Sequence, residues 1–197
     1  MAWALLFAGG TWLSLPAYCS ASARFAGPGW AGLELALLLN PPGTLAAAWA
    51  AMLLAMMPPT LDRPLAAAGE RGPGAAGLFL LGYGTVWMAA GAILILLAIA
   101  LRALLPAPGA PLAVAALAAL AWQASFPKQV CLDRCHAVAG DRDSLRFGLT
   151  HGCWCVGAGW ALMAVPLTVE TGHLPAMALI LLVLLVEGRR GPRPQPA

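Results

Sequence analysis

The chain has 197 residues, of which 61% are hydrophobic and 10% are charged, and its formal net charge is +3. A typical soluble domain contains about 45–50% apolar and about 25% charged residues. So few charges cannot cover a core of this size in water, which excludes a disordered chain, a nucleic-acid-binding protein and an ordinary globular enzyme. We expect an all-α, polytopic transmembrane helical bundle. Its partner would be the lipid bilayer, and we expect no nucleic-acid partner.

The predicted spans are the apolar stretches that turn-forming residues separate. We expect about six, which in chain order are Ala2–Tyr18, Thr44–Met57, Ala75–Leu104, Pro111–Phe126, Phe147–Val169 and Leu174–Val186. Trp30–Leu39 is too short to cross a bilayer and is predicted to be an interfacial or re-entrant helix. The small residues at 21–23 resemble a signal-peptide cleavage site, and cleavage there would leave five spans. The first stretch lacks the positive residues of a secretory signal, however, which favours a retained span.

The distribution of positive charge predicts the orientation. Nine of the 11 Lys and Arg residues lie in three of the connecting or terminal segments, 58–75, 127–146 and 187–197. Because positive segments stay in the cytoplasm, we expect these segments and the C-terminus there. The chain is thus predicted to be a single multi-pass domain over 1–197 in the bacterial plasma (inner) membrane. It would have a charged cytoplasmic loop at 128–146 and a cytoplasmic tail at 187–197.

Two cysteines in the charged loop are the first candidate metal ligands. Cys131 and Cys135 are four residues apart, so a helix would place both thiols on one face. Lys128 and Arg134 are expected to favour the thiolate, which is the form that binds metals. The alternative is a pair of reduced thiols without a function.

The start of the fifth span contains a second pair. His151 and Cys155 are also four residues apart, and ionisable residues within membrane spans are functional candidates. The alternatives are an imidazole bonded to a backbone carbonyl and a cysteine that only packs. Three glycines on the same side of this helix are expected to let another helix approach closely: Gly148, Gly152 and Gly159.

Methionines at the end of the second span add thioether sulfur. In the predicted topology, Met56 reaches the cytoplasmic side, where the thiols and the imidazole also lie. Thiolates, a thioether and an imidazole suit Cu(I), with Zn(II) as the alternative. The predicted metal ligands are Cys131, Cys135, His151, Cys155 and Met56. Residues expected to support the site are Gln123, Met52, Met57, Cys153 and Trp160.

These residues resemble the motifs of a bacterial family of predicted metal-binding integral membrane proteins. The matches are W-x-x-M-x-x-A-M-M over 49–57, G-Y-x-x-V-W over 82–87, C-L-x-x-C over 131–135 and H-G-x-x-C-x-G over 151–157. The resemblance covers roughly 44–187 and implies a metal site without naming its function. Where the family usually has two cysteines after the last motif glycine, this chain has Ala158 and Gly159, so its site is poorer in thiolate.

We therefore expect a soft-metal site, with copper as the metal, on the cytoplasmic side of the membrane. It would serve metal handling, delivery or the assembly of a metalloenzyme, with another membrane protein or metalloprotein subunit as partner. Two alternatives stay open: a thiol-redox protein that uses Cys131 and Cys135, and a structural membrane subunit without metal. The sequence contains none of the common nucleotide-binding, hydrolase or metalloprotease motifs, so we do not expect turnover chemistry.

Overall fold

The structure is a computed structural model that describes residues 41–136, 143–169 and 172–189, together with a few positions between 31 and 38. The predicted first span, the cleavage site at 21–23 and most of the predicted interfacial helix lie outside the described residues. So do residues 137–142 of the charged loop and the end of the tail.

Helices account for nearly all of the described chain. Seven have defined bounds, and no strand occurs in the described ranges, which confirms the all-α class. They are α1 Pro42–Met56, α2 Pro58–Gly69, α3 Ala75–Leu104, α4 Ala110–Gln123, α5 Phe126–His136, α6 Ser144–Thr168 and α7 His173–Arg189.

The six predicted spans are not confirmed. Among the described helices, α3, with 30 residues, is the one that is long and apolar enough to cross a bilayer unbroken. Up to three crossings result if each of two bent helix pairs, α1 with α2 and α4 with α5, is one span. The bend after α1 occurs at Pro58, which has no amide hydrogen to donate to the preceding turn and whose ring crowds the carbonyl oxygen of that turn. Membrane insertion therefore stays a prediction.

The most extensive helix pair is α3 with α6, and glycines bring their backbones together. A Cβ added at Gly148 would lie 2.1 Å from the carbonyl oxygen of Phe79. One added at Gly82 would lie 2.5 Å from the carbonyl oxygen of Leu145. No side chain fits at either position. The close approach sets the register in which the aromatic residues of α3 meet the start of α6.

Polar caps set where α5 and α6 begin. The Ser125 hydroxyl accepts a hydrogen bond from the Lys128 amide (3.3 Å), and the Asp143 carboxylate accepts one from the Leu145 amide (2.9 Å). Such side chains satisfy amides that the first helical turn leaves unpaired. The chain bends by 69° between α4 and α5, which carries α5 across α6.

The beginning of the expected charged loop is therefore a helix, and its lysine is not in solvent. Lys128 is 1% exposed, and its ammonium group forms an ion pair with Glu187 of α7. The Gln123 amide also donates to the Glu187 carboxylate, at 2.9 Å. This buried pair holds the first turn of α5 against α7.

Candidate metal centre

Three side chains from α5 and α6 form a group that could hold a metal ion. The Sγ atoms of Cys135 and Cys155 and a ring nitrogen of His151 all lie within 4.8 Å of one another. The Cys135 Sγ is 3.9 Å from the His151 Nε2. His151 and Cys155 are neighbours because residues four apart share a helix face. We call Cys135, His151 and Cys155 the thiol–imidazole cluster.

Aromatic residues enclose the imidazole of this cluster. The ring of His151 lies 5.7 Å from that of Phe79, 6.0 Å from that of Tyr83 and 6.0 Å from that of Phe147, measured between centroids. His151 is only 5% exposed. An imidazole in such a shell is favoured in its neutral form, which is the form that binds metals.

Tyr83 also contacts the cluster through its hydroxyl, which lies 3.5 Å from the Cys155 Sγ. A phenol in this position can donate a hydrogen bond to a thiolate and so orient it. Such outer contacts tune the metal affinity of a site. Tyr83 was matched to a motif in the sequence but was not among the predicted site residues.

Cys131 lies one helical turn before Cys135 but outside the thiol–imidazole cluster. Its sulfur packs against Gly157 of α6, where an added Cβ would lie 2.7 Å from it. Burial raises the pKa of the Cys131 thiol and outweighs the opposing effect of Arg134. Lys128, which was expected to favour the thiolate, is paired with Glu187 instead. The sequence-based argument for a Cys131 thiolate is thus not supported.

The predicted methionine ligand lies in the apolar core. Met56 is 1% exposed and packs in the same buried cluster as Met52. The next residue, Met57, lines a cavity that Cys135 and Cys155 also line. Met57 belongs to the same buried cluster as Met56, and Met56 as an added ligand stays a prediction.

The other predicted supporting residues lie in different parts of the structure. Gln123 binds Glu187, as described above, and the ring of Trp160 packs edge-on against that of Trp122, with centroids 5.2 Å apart. Cys153 is exposed and lies away from the cluster. Gly152 faces α3, since an added Cβ would lie 3.1 Å from the Cβ of Val86.

A cavity of about 490 Å³ adjoins the cluster, and we call it the side cavity. Both thiols of the cluster line it, while small residues form another part of its wall, Ala158 and Gly159. These are the two positions where the resembling family usually has cysteines. Neither position contributes a thiol to the wall here.

His136 is a further wall residue that the sequence analysis missed. It directly follows Cys135 and lines the side cavity. Burial lowers the pKa of His136, and Arg63 lowers it further against the opposing effects of Asp133 and Glu187. The ring is thus favoured in the neutral, metal-binding form. Its position beside the second cysteine of C-L-D-R-C-H was the signal available in the sequence.

Comparison with known proteins points to copper. The model of a family described as PpoB2, copper chaperone, matches residues 46–193, which include the whole thiol–imidazole cluster. No curated protein and no solved structure matches the chain. Two thiols and one imidazole are soft and borderline donors, which are the donors that Cu(I) prefers.

Proposed function

This chain belongs to the PpoB2 copper chaperone family, and we propose on this basis that it binds Cu(I) at the thiol–imidazole cluster and delivers it to a metalloprotein. The observation that carries the proposal is the convergence of Cys135, His151 and Cys155 within 4.8 Å. These residues come from two helices, so their proximity does not follow from their sequence spacing alone.

The family match favours copper over zinc as the cargo, and the number of ligands agrees with copper. Structural zinc sites are almost always four-coordinate, with four protein ligands. The cluster offers three such ligands, and the Tyr83 hydroxyl, which lies 3.5 Å from the Cys155 Sγ, is a poor zinc ligand. Cu(I) accepts low coordination numbers and soft sulfur ligands. A site with fewer ligands also releases its metal more readily, as delivery requires.

We further propose that the chain is a multi-pass protein of the bacterial plasma membrane. Large apolar side chains that are more than half exposed support this, among them Leu81 and Ile93 on α3 and Leu117 and Leu120 on α4. Apolar patches of this extent mark a surface that is not in water. The excess of Lys and Arg in the segments around α2, α5 and the tail supports a cytoplasmic position for α5 and the C-terminus.

Metal analysis of single variants tests the site. Protein purified in detergent under reducing conditions is titrated with Cu(I) in competition with a chromophoric chelator. Cys135→Ser, Cys155→Ser and His151→Ala should each lose most of the affinity. Cys153→Ser, an exposed cysteine on the same helix, is the matched control and should bind as the wild type does.

Cys131→Ser tests whether the thiol–imidazole cluster or the C-L-x-x-C motif defines the copper ligands. Its sulfur lies outside the cluster, so the variant should keep its copper. Equal titrations for wild type and Cys135→Ser would contradict the proposed site. A reversible disulfide without stoichiometric metal would favour a thiol-redox function instead.

The topology has its own test. A single cysteine introduced at Arg142 in a cysteine-free background should resist an impermeant thiol reagent added from the periplasmic side. Labelling from that side would contradict the cytoplasmic position of α5.

A further inference from the structure

The side cavity gives access to the thiols of the cluster and not to its imidazole. Cys135 and Cys155 line the cavity, whereas His151 is 5% exposed and lies behind them among aromatic rings. A ligand that enters the cavity therefore meets the two sulfur atoms first. Copper held in the cluster can exchange ligands on this side.

The wall of the cavity combines soft metal donors with charges of both signs. Met57 contributes a thioether and His136 an imidazole. Asp62 and Arg63, both exposed, also line it and provide one charge of each sign. A wall of this kind matches a small zwitterion that also carries a sulfur ligand.

The size of the cavity suits such a molecule. At about 490 Å³ it falls in the usual range for small-molecule sites, about 300–1,000 Å³. Ala158 and Gly159 keep it open, because neither has a side chain that extends into it. A Cβ added at Gly159 would meet only the ring of Trp87, at 3.7 Å.

We propose that the side cavity receives a low-molecular-weight, carboxylate-bearing thiol that carries Cu(I), and that copper passes from this thiol to Cys135 and Cys155. The inference rests on the proposed function, since it names the molecule that loads the same site. Arg63 binds the carboxylate of the carrier.

The transfer is a ligand exchange in which copper stays in the +1 state. A bond forms between Cu(I) and the sulfur of Cys155 or Cys135 as the bond to the carrier's sulfur breaks. The cysteine thiol loses its proton when it binds the metal, and the departing thiolate takes up one proton. No oxidant or reductant is required.

A variant that fills the cavity without removing a ligand tests the route. Ala158→Leu should slow copper transfer from the Cu(I) complex of reduced glutathione by about tenfold or more, because a single excess methylene in a pocket costs about tenfold or more and leucine adds three carbon atoms. Its equilibrium affinity for Cu(I), measured by chelator competition, should stay at the wild-type value. Ala118→Leu, on the exposed side of α4, is the matched control and should change neither quantity.

The carboxylate contact has a chemical control. Arg63→Gln should slow transfer from the Cu(I) complex of cysteine but not from that of cysteamine, which lacks the carboxylate. Wild-type protein should also accept copper faster from free glutathione than from the same tripeptide attached to a carrier protein. This last comparison needs no substitution and decides the matter if Ala158→Leu does not fold.

The two proposals fail in different ways. If the wild-type protein binds no Cu(I) in the chelator competition, the copper-binding function itself is wrong. Normal affinity together with an unchanged transfer rate in Ala158→Leu would overturn the side cavity as the route. Equal transfer from free and protein-attached tripeptide would mean that a partner's cysteine loads the site and that no small thiol is selected.

Discussion

The ion pair between Lys128 and Glu187 provides the sharpest stability prediction. Lys128 is 1% exposed and Glu187 is 9% exposed, so removal of one partner leaves the other charged in a buried place. Breaking a buried pair in this way costs about 3–5 kcal/mol, against about 0.2–1 kcal/mol for an exposed pair. The lost hydrogen bond from Gln123 adds about 1 kcal/mol. We therefore expect Glu187→Ala to lower the free energy of unfolding by about 4–6 kcal/mol.

Denaturant unfolding in one detergent, followed by tryptophan fluorescence, measures the change. Glu70→Ala is the matched control, because Glu70 is exposed at the end of α2 and its removal should cost less than about 0.5 kcal/mol. The double variant Lys128→Met/Glu187→Leu should recover most of the stability, since apolar replacements of a buried pair are often neutral or stabilising. Equal losses for Glu187→Ala and Glu70→Ala would refute the reasoning.

Three further predictions concern the helix contacts and the cluster. Gly148→Ala should destabilise the protein, because its Cβ would lie 2.1 Å from a carbonyl oxygen of α3. Gly84→Ala, with nothing within 4 Å of the added Cβ, should stabilise the protein by up to about 1 kcal/mol. Thermal unfolding compares the two variants. Tyr83→Phe should weaken Cu(I) binding by about 10- to 100-fold, because it removes the hydroxyl beside the Cys155 sulfur; wild-type affinity would contradict a role for this contact. Trp49→Phe should cost about 0.5–1.5 kcal/mol, because its indole donates a buried hydrogen bond to α3 at 2.8 Å; an unchanged unfolding midpoint would contradict this.

Composition was sufficient to predict the helical class, and the helical period was sufficient to pair His151 with Cys155. Both inferences use only local geometry, in which residues four apart lie on one face. The same rule paired Cys131 with Cys135, and both do lie on α5. It could not show that only Cys135 reaches the imidazole, because this depends on where α5 crosses α6 after the 69° bend.

The positions that the sequence analysis could not assign depend on tertiary packing. The bend after Met56 places Met57 on the cavity wall, and the burial of Lys128 requires a partner from α7, 59 residues further along the chain. His136 lines the cavity together with residues of α6 and α7. Residue spacing and motifs cannot predict these contacts, because each contact joins helices that are remote in sequence.

The division of the cluster between two helices has a thermodynamic consequence. Cys135 lies in the last turn of α5, while His151 and Cys155 belong to α6, so bound copper would act as a cross-link between them. A ligand present at about 100 times its dissociation constant stabilises the form that binds it by about 2.7 kcal/mol. The Lys128–Glu187 pair fixes the opposite end of α5 whether or not metal is bound. Loading and unloading of copper would thus tighten and loosen one end of a helix whose other end stays anchored, so that a partner could sense the cargo through the docking of that helix.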